Sequence, residues 1–308
     1  MSFLGLISKI LPLYIIVIQG YIGGKLHDID TKSISKLMFH FIMPIIFFDV
    51  ALNLKMEVKY MILPILFFFF STILSVISKK IAGKYFSDGR ENVIGYAAGS
   101  MNVNSLGLSI AMLVMDDDYI RMFMLATISS VLYTNTVGRY IISNHVTSGK
   151  GRFMFLFKTP PFYAFIIGLV ANISEFELFD GFNNLFSQMR ATYVVLGMLI
   201  FGLSLSRVKL NAGVKFMTYF SMTKILLSPL LYVAFILLDK FLFHIYDNEM
   251  YKVFLLLAAL PPGADCIMTA ILFDKHAEKA SVGVLISTII STLYIPLILL
   301  IFEYAKNT

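Results

Sequence analysis

Cysteine occurs once in the 308 residues, as Cys266, so the chain can form no intrachain disulfide and no multi-cysteine metal site. Charged residues are also scarce, at 14% where a soluble domain carries about a quarter, which excludes an ordinary water-soluble globule of this size. The five histidines, His27, His40, His145, His244 and His276, share no spacing, so no histidine metal centre is expected. No Gly-rich phosphate loop occurs, and ATP drive from this chain is not expected; nor is any cofactor. The short alternating segments of a transmembrane barrel are missing too.

Apolar residues supply what these absences leave room for. They make up 58% of the chain, and the mean hydropathy is +0.81. They gather into runs such as "MILPILFFFFSTILSVIS" and "VGVLISTIISTLYIPLILLIF", each near the ~20 residues that a membrane-crossing helix needs. The reading is an all-α polytopic membrane protein whose partner is the lipid bilayer. Helices are expected near residues 4–25, 34–54, 60–79, 92–115, 119–142, 160–174, 187–206, 214–238, 250–273 and 278–303. The first run is read as a span and not as a cleaved leader, since "QGYIGGKLHDID" offers no A-x-A-like site.

The net charge of +6 does not point to nucleic acid, because Lys and Arg collect at the ends of apolar runs and not in one block. With ten spans, 16 of the 25 basic residues fall on one side and 8 on the other, while Lys224 lies inside a span. The less basic side also holds "DDD" at 116–118 and "EFE" at 175–177. The positive-inside rule then puts both termini outside the cytoplasm, in a cell membrane.

A polar linker, "SGKGR" at 148–152, divides the chain into residues 1–147 and 148–308, with five helices in each. An odd number per half requires related halves to be inverted, and their punctuation matches. The fourth and ninth helices both open Ala-rich, "AAGSMN" and "AALPPGAD", and then break. In the ninth, Pro261 and Pro262 remove backbone donors, Gly263 permits an unusual turn, and Asp265 puts a carboxylate near mid-membrane. In the fourth, Asn102, Asn104, Ser105 and Gly107 do the breaking, because Asn and Ser side chains compete for backbone hydrogen bonds.

Unwound backbone at membrane depth is tolerated only where protein or a watery cavity covers it. Paired breaks therefore mark a binding site, with half-helix N-termini turned towards an anion, and all eight of these residues are candidate substrate contacts. A carboxylate at that depth must be protonated, paired or hydrated, so Asp265 is a candidate for coupling to an ion. Lys224, in "MTKILLSPLL", either snorkels to the surface or pairs with Asp265 or an anion. Asp49, in "FFDVALN", is a further charge-pairing candidate close to a span end.

These stretches, in this order, resemble the auxin efflux carrier family, relatives of the plant PIN-FORMED carriers within the bile acid and arginine transporter superfamily. The likeness rests on "FIMPIIFFDVAL", "NVNSLGLS", "KILLSP" and "LPPGADCIM". Of the family's N-x-G-x-x-G-x-P in the fourth helix, Asn102 and Gly107 match, while Asn104 and Ser109 replace a Gly and the Pro. Asp265 stands where an Asn is usual.

The resemblance implies two inverted five-helix repeats. Helices one, two, six and seven would be a scaffold that can dimerise, and the others a transport domain moving like an elevator, with its fourth and ninth helices crossing at the substrate. The function expected is secondary transport of a small organic anion such as a carboxylate, coupled to protons or sodium, with no enzymatic step. Two other readings use the same residues: a receptor or sensor without turnover, and an intramembrane aspartyl protease built on Asp49 and Asp265.

Overall fold

A computed structural model describes residues 3–143, 159–176, 178–179, 181–206 and 213–307; the proposed linker at 148–152 lies outside them. Among the described residues the regular structure is helical throughout. In chain order the helices are α1 (Phe3–Leu26), α2 (Thr31–Leu52), α3 (Val58–Ala82), α4a (Arg90–Gly99), α4b (103–114) and α5 (117–143). There follow α6 (Pro160–Ile173), α7 (Gly181–Ser206), α8 (Val214–Phe243), α9a (Asn248–Ala259), α9b (Asp265–Leu272) and α10 (Ala277–Asn307). Among the described residues six segments are long and apolar enough to cross a membrane: α2, α3, the α4 pair, α7, α8 and α10.

Local chemistry sets the ends. Asp30 caps α2 by accepting from the Lys32 N–H at 2.9 Å, and Asp247 caps α9a through Met250 N–H at 2.8 Å. Pro160 and Pro161 open α6, where a missing N–H costs nothing. At the far end of α6, the Asn172 amide donates to the carbonyls of Ala51 and Leu54, both at 3.0 Å, and so satisfies the end of α2. α8 runs past the expected 238 to Phe243 by widening into a π-turn over Asp239–Phe243. The buried Asp239 there takes N–H groups of Ile245 and Tyr246 and the Tyr251 hydroxyl.

The helices pack in related pairs. α1 lies along α7 and α6 along α2; α3 packs on α4a and α5, as α8 does on α9a and α10. Adding five to each helix number carries one set of contacts onto the other. Two of the seams are backbone against backbone. A Cβ on Gly202 would fall 2.0 Å from the Val17 carbonyl oxygen of α1, and one on Gly168 would fall 2.5 Å from that of Phe48 in α2. Small residues of this kind are how membrane helices gain contact when water offers no driving force. The "LFFFFST" stretch serves both surfaces: Phe67 and Phe70 are buried against Phe254 and Tyr232, whereas Phe69 faces outward.

Candidate functional site

The fourth and ninth helices break at the same place in space, and the two breaks are joined. Chain direction reverts to extended at Ser100, then Asn102 starts the next helix by accepting the N–H groups of Ser105 (3.3 Å) and Leu106 (3.4 Å) on its side-chain oxygen. The Asn102 N–H donates to the Pro261 carbonyl at 2.8 Å. The Gly263 N–H donates to the Ser100 hydroxyl at 3.0 Å, and that hydroxyl donates onward to the Asp265 carboxylate at 2.9 and 3.0 Å. Backbone groups orphaned by one interruption are thus satisfied by the other.

Asp265 is the node of this crossing. Besides Ser100 it accepts from Tyr96 of α4a at 2.8 Å and from Thr134 of α5 at 3.1 Å. The donor directions are fixed from outside: Thr269 donates to the Tyr96 hydroxyl at 3.1 Å, and Gly263 donates to Ser100, so both hydroxyls have their protons free for the carboxylate. Tyr96 is itself steadied by Tyr133, whose hydroxyl meets the Tyr96 carbonyl at 2.9 Å and Ser75 at 2.8 Å.

A cavity of about 360 Å³ opens beside the crossing. Its polar wall holds Asn102, Asn104, Ser105, Thr127, Thr134 and Asp265, and its apolar wall includes Phe39, Met43 and Phe47 of α2 with Phe162 and Phe165 of α6. Among the described lining residues none is Lys or Arg. The Asn102 oxygen is committed to the Ser105 and Leu106 N–H groups and the Ser105 hydroxyl, which leaves its NH2 as its uncommitted donor, and the residue lines this cavity. Asn104 behaves alike, its oxygen taking the Thr127 hydroxyl at 3.1 Å while its carbonyl accepts from Tyr193 of α7 at 2.6 Å. Two amide donor groups and two helix N-termini thus face one space, which suits an anion. A second cavity, about 540 Å³, lies on the other side of the same wall between α7 and α10, sharing Asn102, Ser105 and Ala264.

The residues singled out in the sequence divide into those on the wall and those behind it. Asn102, Asn104, Ser105, Gly263 and Asp265 line the cavity. Gly107 does not: a Cβ there would meet Leu260 and Phe123 at 2.7 Å, so this glycine serves close packing. Pro261 and Pro262 are buried, and their part is to deny N–H donors and offer the carbonyl that Asn102 uses. Lys224 is 2% exposed, so it does not snorkel, and its ammonium has no hydrogen-bond partner among the described residues. Asp49 is equally buried but bonded to Arg190 of α7 and to Asn53. With Asp49 and Asp265 engaged by separate partners, the shared-proton dyad of a protease is not formed.

Tyr96, Thr134, Thr127 and Tyr193 escaped the sequence reading. One signal does unite much of the site after the fact: the π-turns at Met38–Ile42, Val103–Gly107, Thr134–Gly138 and Thr223–Leu227 carry Phe39, Asn104, Thr134 and Lys224 in turn. Such turns recur at functional sites because they widen the helix and re-aim side chains.

Comparison with known proteins agrees with this architecture. Residues 152–299 match the family model described as membrane transport protein. Over 96% of its length the chain is similar, at 23% identity, to an uncharacterized transporter of Methanothermobacter thermautotrophicus, covering 98% of that protein. Polytopic, helical and built around two joined breaks, the chain is similar over residues 152–299 to the membrane transport protein family, that of the auxin efflux carriers.

Proposed function

We propose that this membrane transporter is a secondary carrier of a small organic anion, and that the anion sits in the cavity beside the crossing of α4 and α9. One observation carries the reading: two asparagines with their oxygens committed elsewhere share a cavity with the N-terminal ends of α4b and α9b, while the Asp265 carboxylate on the same wall is taken up by the hydroxyls of Tyr96, Ser100 and Thr134. The aromatic wall from α2 and α6 suits a carboxylate on an apolar body, since buried apolar area supplies affinity and the amides supply orientation.

Asp265 and Lys224 are the coupling pair in this proposal. Asp265 stands at the crossing, saturated with hydroxyl donors, and Lys224 is buried in the π-turn of α8 that packs on α4a and α9a, with no hydrogen-bond partner among the described residues, so a proton or a sodium ion arriving there changes the local charge balance. The paired packing supports two inverted repeats, residues 1–147 and 148–308, with α1, α2, α6 and α7 as scaffold and the remainder as an elevator-like transport domain. Dimerisation would use the scaffold. Termini outside the cytoplasm of a cell membrane follow from the charge bias alone.

The test is uptake of labelled carboxylates into proteoliposomes under an imposed pH or sodium gradient. Asp265→Asn is expected to leave binding within about threefold and to abolish acceleration by the gradient. Gradient-driven uptake that survives the substitution unchanged removes Asp265 from coupling. Binding without flux for the whole panel would favour a receptor.

A further inference from the structure

The acidic run Asp116–Asp118 plays no part in the site, yet the side chains of Asp117 and Asp118 are tied across the molecule. Arg190 of α7 holds the buried Asp49 of α2 with one guanidinium nitrogen and Asp117, at the start of α5, with the other at 2.8 Å. Asp118 takes Lys55, from the turn after α2, at 2.7 Å and Arg121 of its own helix at 2.7 Å. These groups stand where α2 and α4b end and α5 begins, with Arg190 reaching them from the third turn of α7. The lining of the anion cavity runs away from these groups, along α5 to Asn135 and to Thr159 and Pro161 at the start of α6.

Two kinds of ion pair meet here. Asp49 and Arg190 are 3% and 20% exposed and join α2 to α7, two helices that already pack together. Taking one partner from a pair this buried strands a charge, so that link is permanent. Asp117 and Asp118 are 59% and 40% exposed and Lys55 is 53% exposed. Pairs in water are weak, salt-screened and remade easily, as a fastening that opens and closes must be. A crevice at the same end, between α1, α4b, α5 and α7, is lined by Leu113 and Asp117 on one side and Arg190 on the other, so the fastening spans a gap.

We propose that Arg190–Asp117 and Lys55–Asp118 form a releasable strap that holds α5 to α2 and α7 and keeps this end of the bundle closed while the anion cavity is open at the other. The strap rests on the transport reading, since alternating exposure requires α5 to part from α2 and α7 at this end. A two-state equilibrium moves only by the difference in free energy a contact makes between the states, and the strap exists in one of them alone.

The experiment is a maleimide-labelling comparison in lipid nanodiscs, where both faces meet the reagent. Reporter cysteines are placed singly at Leu113, by the crevice, and at Phe162, by the cavity, in a Cys266→Ala background. Asp117→Asn with Asp118→Asn, which leaves the Asp49–Arg190 pair intact, is expected to raise labelling at 113 about fivefold and to lower it at 162; Lys55→Gln should give a smaller change of the same signs. Labelling unchanged at either position overturns the strap, and so does a rise at both, which reports general loosening. A carrier that moves no anion at all would defeat the transport reading without altering these labelling rates.

Discussion

At the fourth helix the chain is turned by Asn102, whose side chain replaces the hydrogen bonds the helix gives up; at the ninth it is turned by Pro261 and Pro262, which have no N–H to give. The first break keeps spare donors and shows them to the cavity. The second keeps spare acceptors, a Pro261 carbonyl and the Asp265 carboxylate, and spends them on the first. The two breaks are therefore complementary: the ninth helix supplies the carbonyl and carboxylate that the backbone and hydroxyl groups of the fourth require.

That complementarity is broken most severely at Ser100, the atom shared by both breaks. Ser100→Ala leaves the buried Gly263 N–H without an acceptor and removes one donor from Asp265, and should cost about 2 kcal/mol with a matching drop in thermal unfolding temperature. An unaltered unfolding temperature would mean that the two breaks hold independently.

Next in size is a pair of substitutions that separates donor from breaker. Asn102→Ala removes a helix cap worth about 1 kcal/mol and one of the cavity's amide groups, so affinity for the carboxylate proposed as substrate should fall roughly tenfold. Pro262→Ala, behind the wall, should change affinity less than about twofold, because Pro261 still denies its N–H and Gly263 still turns. Equal losses from the two would erase the distinction between the breaks.

The smallest effect lies where the loops serving both interrupted helices touch, at His276 and the Asp88 carbonyl, 3.0 Å apart. A hydrogen bond from the Arg90 guanidinium holds the Asp88 carboxyl below the usual carboxylate range. A lowered value means stability that is present above the ordinary Asp pKa of about 3.9 and is lost as pH falls through the lowered one. Asp88→Asn should therefore lower the unfolding temperature slightly at pH 7 and not at all near pH 2. A difference that persists in acid would assign the role to shape and not to charge.

The sequence reading placed every described helix to within about six residues, because a run of apolar side chains bounded by Pro, Gly and charge is dictated by the bilayer itself. It also found both breaks, since Pro-Pro-Gly and Asn-x-Asn-Ser are costly inside a helix. Partners were another matter. Asp49 and Arg190 are 141 positions apart, and nothing local to either says that they meet. Tyr96 and Thr134 look like ordinary helix residues until the crossing brings Asp265 to them. Lys224, expected to snorkel or to pair with Asp265 or an anion, does not snorkel, because the π-turn at Thr223–Leu227 carries it into the bundle, and no hydrogen bond among the described residues joins it to Asp265. Gly107 was read as wall for want of the one fact that decides it, the distance to Leu260 and Phe123.

The glycine seams have a consequence for how the protein sits in its solvent. Where the backbones of α1 and α7, and of α2 and α6, touch through Gly202 and Gly168, no acyl chain fits between them. Each pair therefore meets the bilayer as one rod of double width. A thinner or thicker membrane can tilt such a rod but cannot splay it, so mismatch strain is passed to the looser boundary that holds the two cavities.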